Sequence, residues 1–373
     1  MDDINKTVES IASEVVAHDA ESVDREGAFP ERGIEALGKA GVLGVLSAKE
    51  VGGRGEGLRA AAAVVERLAS TCGSTAMVAT MHFSGVAVLE QHAPDEVRRA
   101  AATGKHLSTL AFSEAGSRSQ FWAPVGTARA DGKDVVLNGK KSFSTSASHA
   151  TAYVWSSRPL AAEGASTLWL VPTGTLGVRV PSRFDGLGLR GNDSAPIVAE
   201  DARIPESARL GPDGGGLDIM LGAVLPTFNV LSTAFCVGLM EAATERTAAH
   251  AAAVRFEHTD STLADLPTVR AYIARMRVKT DATRALLLDT LTALETARAD
   301  ATLRVLECKA AAGEAATEVT DLAMRVCGGA AYRRDVGVER MFRDARASTV
   351  MAPTTDHLYE FIGRAVCGMP VFG

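Results

Sequence analysis

Between residues 108 and 216 the sequence changes its period, and that switch limits the fold more than any other feature. On either side lie Ala-rich segments of high helix propensity; in EGLRAAAAVVERLAS, Val64, Val65 and Leu68 recur on one face. Inside the block, β-branched and aromatic residues alternate with polar ones in short runs bounded by turn residues. The chain therefore reads as mainly α with an inserted β domain. The predicted parts are an N-terminal helical domain over 1–107, a middle β domain over 108–216 and a C-terminal helical bundle over 217–373.

Local signals fill in this outline. Asp131-Gly132 and Asn138-Gly139 read as tight hairpin turns, because both dipeptides tolerate positive φ. TAYVWSS, STLWLVP and LGVRVPS read as further strands, and Met81-His82 as the close of a short apolar helix. Residues 228–255 and 267–313 read as two long helices that suit a four-helix bundle. Apolar faces such as Val269, Ile273 and Met276 predict a homo-oligomer, a dimer or a tetramer.

Composition removes several function classes. Charged residues make up 23% of the 373 and the net charge is -6, with Lys and Arg spread out, which argues against a nucleic-acid binder. The acidic start MDDINKTVES lacks the apolar core of a signal or transit peptide, and no apolar run is read as reaching the ~20 residues of a membrane helix. A cytoplasmic protein without membrane contact is expected. The five cysteines are scattered and odd in number, as free thiols in a reducing compartment would be. No HxH or HExxH spacing suggests a metal, and no GxGxxG follows a strand.

The most distinctive order of residues lies in RVCGGAAYRRDVGVERMFRDARASTVMAPTTDHLYEFIGRA. A Gly pair, Gly328-Gly329, ends a helical segment; a charge-dense run follows, and Pro353 breaks the chain before a last helix. GGAAY, then VERMFRDAR, then a Thr-containing break resembles, without gaps, the acyl-CoA dehydrogenase superfamily pattern GGxGY, VERxxRDAR, YEGT. The resemblance implies that superfamily's fold, with a helical domain, a middle β-barrel and a four-helix bundle. It also implies FAD as cofactor and an acyl thioester, on coenzyme A or an acyl carrier protein, as substrate.

The resemblance assigns residues as well. In LAFSEAGSRSQ, Ser113 takes the place of a Thr on the flavin pyrimidine edge and Ser119 that of a Ser near the pyrophosphate or substrate. In NGKKSFSTSAS, Phe143 takes the place of a Trp beside the flavin ring, and Thr145 that of a hydroxyl near its N5. An aromatic plane stacks on a planar ring, and hydroxyls suit a cofactor that gains negative charge when reduced. GLGLRGNDSAPIVAEDARIP matches a further strand segment through Arg190, Asp193, Ser194 and Pro205. Gly328, Gly329, Arg325, Arg255 and Thr354 complete the implied cofactor set.

The same carry-over leaves both base positions of the superfamily without a carboxylate. The Glu of YEGT falls on Ala352, beside Met351, and a second position on a central helix falls on Phe228 and Asn229. These four are read as substrate-pocket residues. His82, Asp356 and Glu114 are the candidates for handling a proton, with His357 next to Asp356. A substrate carbon that already bears oxygen needs no carboxylate to attack carbon. The MAPTTD variant and the VCG(x)P ending resemble the acyl-carrier-protein dehydrogenase-like proteins of methoxymalonyl extender-unit formation in polyketide biosynthesis. An oxidoreductase of that kind is expected. A flavin-dependent monooxygenase and a catalytically silent carrier-binding protein are the alternatives.

Overall fold

A computed structural model describes residues 2–118 and 120–371. The first helix, α1 (Asp2–Ile11), passes through one π turn into α2 (Ala17–Glu26), which ends on Gly27 at φ 64°. Then come α3 (Glu31–Lys39), α4 (Gly57–Ala69), α5 (Gly73–His92) and α6 (Asp95–Ala102). Helix α5 is apolar on every side, as a helix enclosed by core must be. Met77, Phe83, Val86 and Leu89 on it are fully buried. His82 lies in the middle of α5 and does not close a helix, which corrects the sequence reading.

The middle segment forms two four-stranded sheets, in the orders β1-β4-β5-β8 and β2-β3-β7-β6. Their strands are β1 (Ser108–Ala111), β2 (Thr127–Asp131), β3 (Asp134–Ser144), β4 (Ala152–Ser157), β5 (Thr167–Pro172), β6 (Val178–Arg179), β7 (Ala195–Pro205) and β8 (Arg209–Leu210). Alternate residues of both sheets share one core: Val135, Leu137 and Ile197 from one, Tyr153, Trp155, Trp169 and Val171 from the other. Trp155 stands directly opposite Trp169 across β4 and β5. Cross-strand aromatic pairs of this kind contribute ~0.2–1 kcal/mol relative to a pair of alanines.

The Asp131-Gly132 turn closes the β2–β3 hairpin, with Gly132 at φ 68°. Asn138-Gly139 does not form a turn. It lies inside β3 at a register shift, where a Cβ on Gly139 would stand 3.1 Å from the Trp155 ring. The dipeptide serves a bulge and a close ring contact, two demands that leave the same sequence signature as a hairpin.

After β8 come α7 (Gly216–Ile219), a π turn and α8 (Leu225–Ala253), then a small hairpin of β9 (Arg255–Phe256) and β10 (Ser261–Thr262). The remaining helices are α9 (Pro267–Glu295), α10 (Ala301–Cys327), α11 (Val338–Ala345), α12 (Ala347–Val350) and α13 (Thr355–Val366). The helix read over 267–313 is thus two helices. The break contains neither Gly nor Pro. Ala297 turns the chain at φ 48°, and Arg298 ties Asp289 to Asp300 across the corner. A second correction concerns length: Gly216–Ala253 is long and apolar enough to cross a membrane, and 83% of its most apolar window is buried within the protein.

By packing, the chain divides into two units. One comprises residues 1–64, 77–186 and 190–228; the other comprises 65–76, 187–189 and 229–373. In the second unit, Arg284 bridges Glu66 and Glu241, and Arg277 also meets Glu241. The Asp of the RDAR run, Asp344, is 3% exposed and accepts the Leu189 amide at 2.6 Å.

Candidate active site

In the first unit, the end of β1 and the end of β3 are brought side by side. The Ser142 amide donates to the Ser113 carbonyl at 2.8 Å, joining two motifs about 30 residues apart. Thr145 follows, its Oγ1 3.0 Å from Ser194 Oγ on the segment before β7. The predicted Ser113, Phe143 and Thr145 thus lie on neighbouring strand ends of the β domain, Phe143 exposed and Thr145 buried. Ser119 lies outside the described residues.

Phe143 is the residue here most open to a planar partner. Its ring is 75% exposed and its backbone sits at φ 53°, in the left-handed region that bulky residues avoid. An exposed aromatic ring held in a costly backbone conformation is what a stacked heteroaromatic ring needs. These residues fit an isoalloxazine.

Under that surface lies a buried ion pair. Lys141 Nζ reaches Glu114 Oε1 at 2.6 Å and Ser156 O at 2.7 Å, and stands 4.7 Å from the Trp155 ring centroid. Burial pulls the Lys141 ammonium down to about 8 against the opposing pull of Glu114. Glu114 also accepts the Val125 and Gly126 amides. With both oxygens engaged, by Lys141 on one and by the Val125 and Gly126 amides on the other, Glu114 is held as a structural acceptor and not presented for proton transfer. Its place on the list of bases is corrected accordingly.

His82 is corrected for the same reason. Its side chain is 0% exposed; Nε2 donates to the Leu43 carbonyl and Nδ1 accepts the Ser108 amide. Burial, then the neighbouring His106, lowers it to about 4. It is a neutral connector in the core.

The second unit carries the other predicted residues apart from Phe228, which ends the first. Helix α10 ends at Gly328, whose φ 55°, ψ −135° is open only to glycine, and both Gly328 and Gly329 are exposed with room around Cα. One turn before, Arg325 donates to the Tyr272 hydroxyl at 2.9 Å and stacks on that ring. Arg255 is also exposed and pairs with Asp260 on its hairpin. Both guanidiniums are placed on the surface, where a pyrophosphate would have to meet them.

Met351 and Ala352 are half-buried in the loop between α12 and α13. Thr354 caps α13, accepting the His357 amide, and Asp356 lies exposed in the first turn of that helix. Asn229, read as a pocket residue, lies within the bundle. It is 0% exposed and donates to the Val305 carbonyl at 3.0 Å inside the bundle. Phe228 is 8% exposed.

Sequence reading missed Lys141 and Lys309, each 1% exposed. A signal existed for the second: Lys309 sits in ECKAAAGEAA on the stripe of Val305, Ala312 and Ala316, where a charge needs a reason.

Three consecutive family models match the chain. They are the acyl-CoA dehydrogenase N-terminal domain over residues 2–103, the middle domain over 109–202 and the C-terminal domain over 214–367. A probable acyl-CoA dehydrogenase of Bacillus subtilis is 27% identical over 95% of this chain and 94% of its own. Among solved structures, butyryl-CoA dehydrogenase from Megasphaera elsdenii superposes with a TM-score of 0.92 at 20% identity, covering 98% of this chain and 97% of its own. The prolyl acyl carrier protein oxidase AnaB superposes with a TM-score of 0.90 at 19% identity, covering 98% of each. With all three models in order and an FAD-compatible surface where the middle domain should supply one, the chain belongs to the acyl-CoA dehydrogenase family, whose cofactor is FAD.

Proposed function

We propose that this protein oxidises a small acyl thioester carried on an acyl carrier protein, at a carbon that already bears oxygen. We place it in the formation of hydroxymalonyl or methoxymalonyl extender units for polyketide synthesis. The observation that carries the proposal is the loop Met351-Ala352-Pro353-Thr354. It offers a methyl group at the position read as the family's glutamate, and its one hydroxyl side chain, on Thr354, is engaged in capping α13.

Removing the α-proton of an unactivated thioester needs a positioned base, which typically contributes ~10²–10⁴ in rate. A carbon bearing a hydroxyl relaxes that demand, since the proton to be lost sits on oxygen. Bound FAD supplies the hydride acceptor. The chain's own residues do the rest: in the first unit Phe143 offers a plane for the ring and Ser113 and the Thr145–Ser194 pair offer hydroxyls; in the second, taken by itself, Gly328-Gly329 leaves backbone open to close approach. Of the three proton-handling candidates, His82 and Glu114 are committed to the core. Asp356 keeps an exposed carboxylate two residues from Thr354, and we assign it the hydroxyl proton. The carrier-protein oxidase AnaB, sharing the fold over nearly its whole length, supports the carrier as substrate form.

The test is anaerobic bleaching of the flavin. Butyryl-CoA should reduce it very slowly, and a 2-hydroxyacyl or glyceryl-type thioester on a carrier protein should reduce it fast. Asp356→Asn should slow the fast reaction ~10²-fold or more. Rapid bleaching by butyryl-CoA overturns the proposal. Protein that cannot be loaded with FAD would favour a silent carrier-binding role instead.

A further inference from the structure

The loop that holds Ala352 is fastened from beneath by a single buried ammonium. Lys309, in the middle of α10, is 1% exposed. Its Nζ donates to the carbonyls of Pro353 at 2.7 Å, Met351 at 3.1 Å and Ser348 at 3.4 Å. An ammonium has three N–H donors and no acceptor, so these oxygens match its full donor set. Two of them belong to the immediate neighbours of Ala352.

Other groups nearby serve the same short segment. Cys236 Sγ on α8 donates to Ser348 Oγ at 3.1 Å. One turn along α10, Gly313 faces the same segment: a Cβ there would make ordinary contact, 3.4 Å, with both Ser348 O and Thr355 Oγ1. Thr354 fixes the far end by capping α13. Burial pulls the Lys309 ammonium down to about 8, a cost the protein carries at a site where an apolar side chain would suit the neighbouring stripe.

We propose that Lys309 is a positioning residue of the active site. By holding the carbonyls on both sides of Ala352, it sets where that methyl group stands against the acyl chain. The inference rests on the reading of Ala352 as a pocket residue. A side chain as short as Ala352 cannot anchor its own backbone, so the anchor must act on the peptide groups. Displacement of a substrate by about 1 Å is enough to cost ~10²-fold in rate.

The test compares Lys309→Met, which removes the donors at similar length, with Lys309→Arg, which keeps a cation and several donors. Flavin content, reduction by dithionite and the limiting rate of reduction by the best thioester of the parent protein are measured at matched flavin occupancy. Amide hydrogen exchange of residues 347–354 is followed in parallel. In Lys309→Met, flavin content and dithionite reduction should match the parent. The limiting rate with thioester should fall ~10–100-fold, thioester affinity should change less than threefold, and exchange should quicken in 347–354 alone. Lys309→Arg should recover part of the rate. A folded, flavin-loaded Lys309→Met that reacts at the parental rate overturns the proposal. So does failure of both variants to fold, which would make Lys309 a stability residue. If no thioester reduces the parent flavin, the proposed substrate class fails; quickened exchange in 347–354 still supports the clamp, and unchanged exchange rejects it.

Discussion

The β domain and the helical bundle each bury one lysine, and they satisfy it differently. Lys141 faces a carboxylate, Glu114, at 2.6 Å; Lys309 holds backbone carbonyls of Ser348, Met351 and Pro353. Both are 1% exposed, and burial pulls both ammoniums down to about 8. An ion pair cancels charge and locks two elements together. A cation among carbonyls instead fixes the position of peptide groups, at higher sensitivity to its own surroundings. The β domain thus shows a rigid platform for an exposed aromatic ring, and the bundle shows a loop whose backbone is the component being controlled.

Breaking the ion pair should have the largest effect. Lys141→Met leaves Glu114 buried with an uncancelled charge, and should cost ~3–5 kcal/mol in urea denaturation. Lys141→Met combined with Glu114→Gln should cost less than Lys141→Met alone. If the double variant is the worse of the two, Glu114 matters as an amide acceptor for Val125 and Gly126 more than as a counter-ion.

Acid should act on a different buried pair in the same unit. His82 and His106 are both lowered to about 4 by burial. Because the folded values lie below the unfolded one of 6.5, their stabilisation is complete above pH ~6.5 and is lost as pH falls towards 4. For His82 the change is worth about 3 kcal/mol. His82→Gln, followed by thermal unfolding between pH 4 and 7, should flatten that slope. An unchanged slope would move the acid sensitivity elsewhere.

The smallest expected effect concerns the platform's surface. Phe143 is 75% exposed, so Phe143→Asp should leave stability within about 0.5 kcal/mol. FAD retention should nevertheless fall about tenfold, from the loss of a stacking contact worth ~0.5–1.5 kcal/mol and the added charge. Equal retention, read by flavin release on dilution, would mean that the ring faces something other than the cofactor.

Much of this protein was legible in one dimension. Period alone separates helix from strand, so the β segment and its flanking helices follow from residue order; Asp131-Gly132 marks a hairpin because φ is a local property. The ungapped run from Gly328 to Thr354 identifies a family for the same reason, since its spacing is written along the chain. Other features depend on what arrives from elsewhere. Asn138-Gly139 is a bulge because the Trp155 ring occupies the space beside it. The 267–313 segment breaks at Ala297 with no Gly or Pro to mark it, and the Arg298 pairs with Asp289 and Asp300 become visible only once the corner is formed. His82 and Glu114 look like bases in sequence, where an ionisable side chain is known but its partners are not. Only the fold shows that Leu43, Ser108, Val125 and Gly126 have taken their lone pairs and protons. Lys309 is the converse case: a lysine in an alanine-rich helix becomes legible once the peptide groups around Ala352 are seen to converge on it, because burial and hydrogen bonding are relations between distant residues and not properties of either.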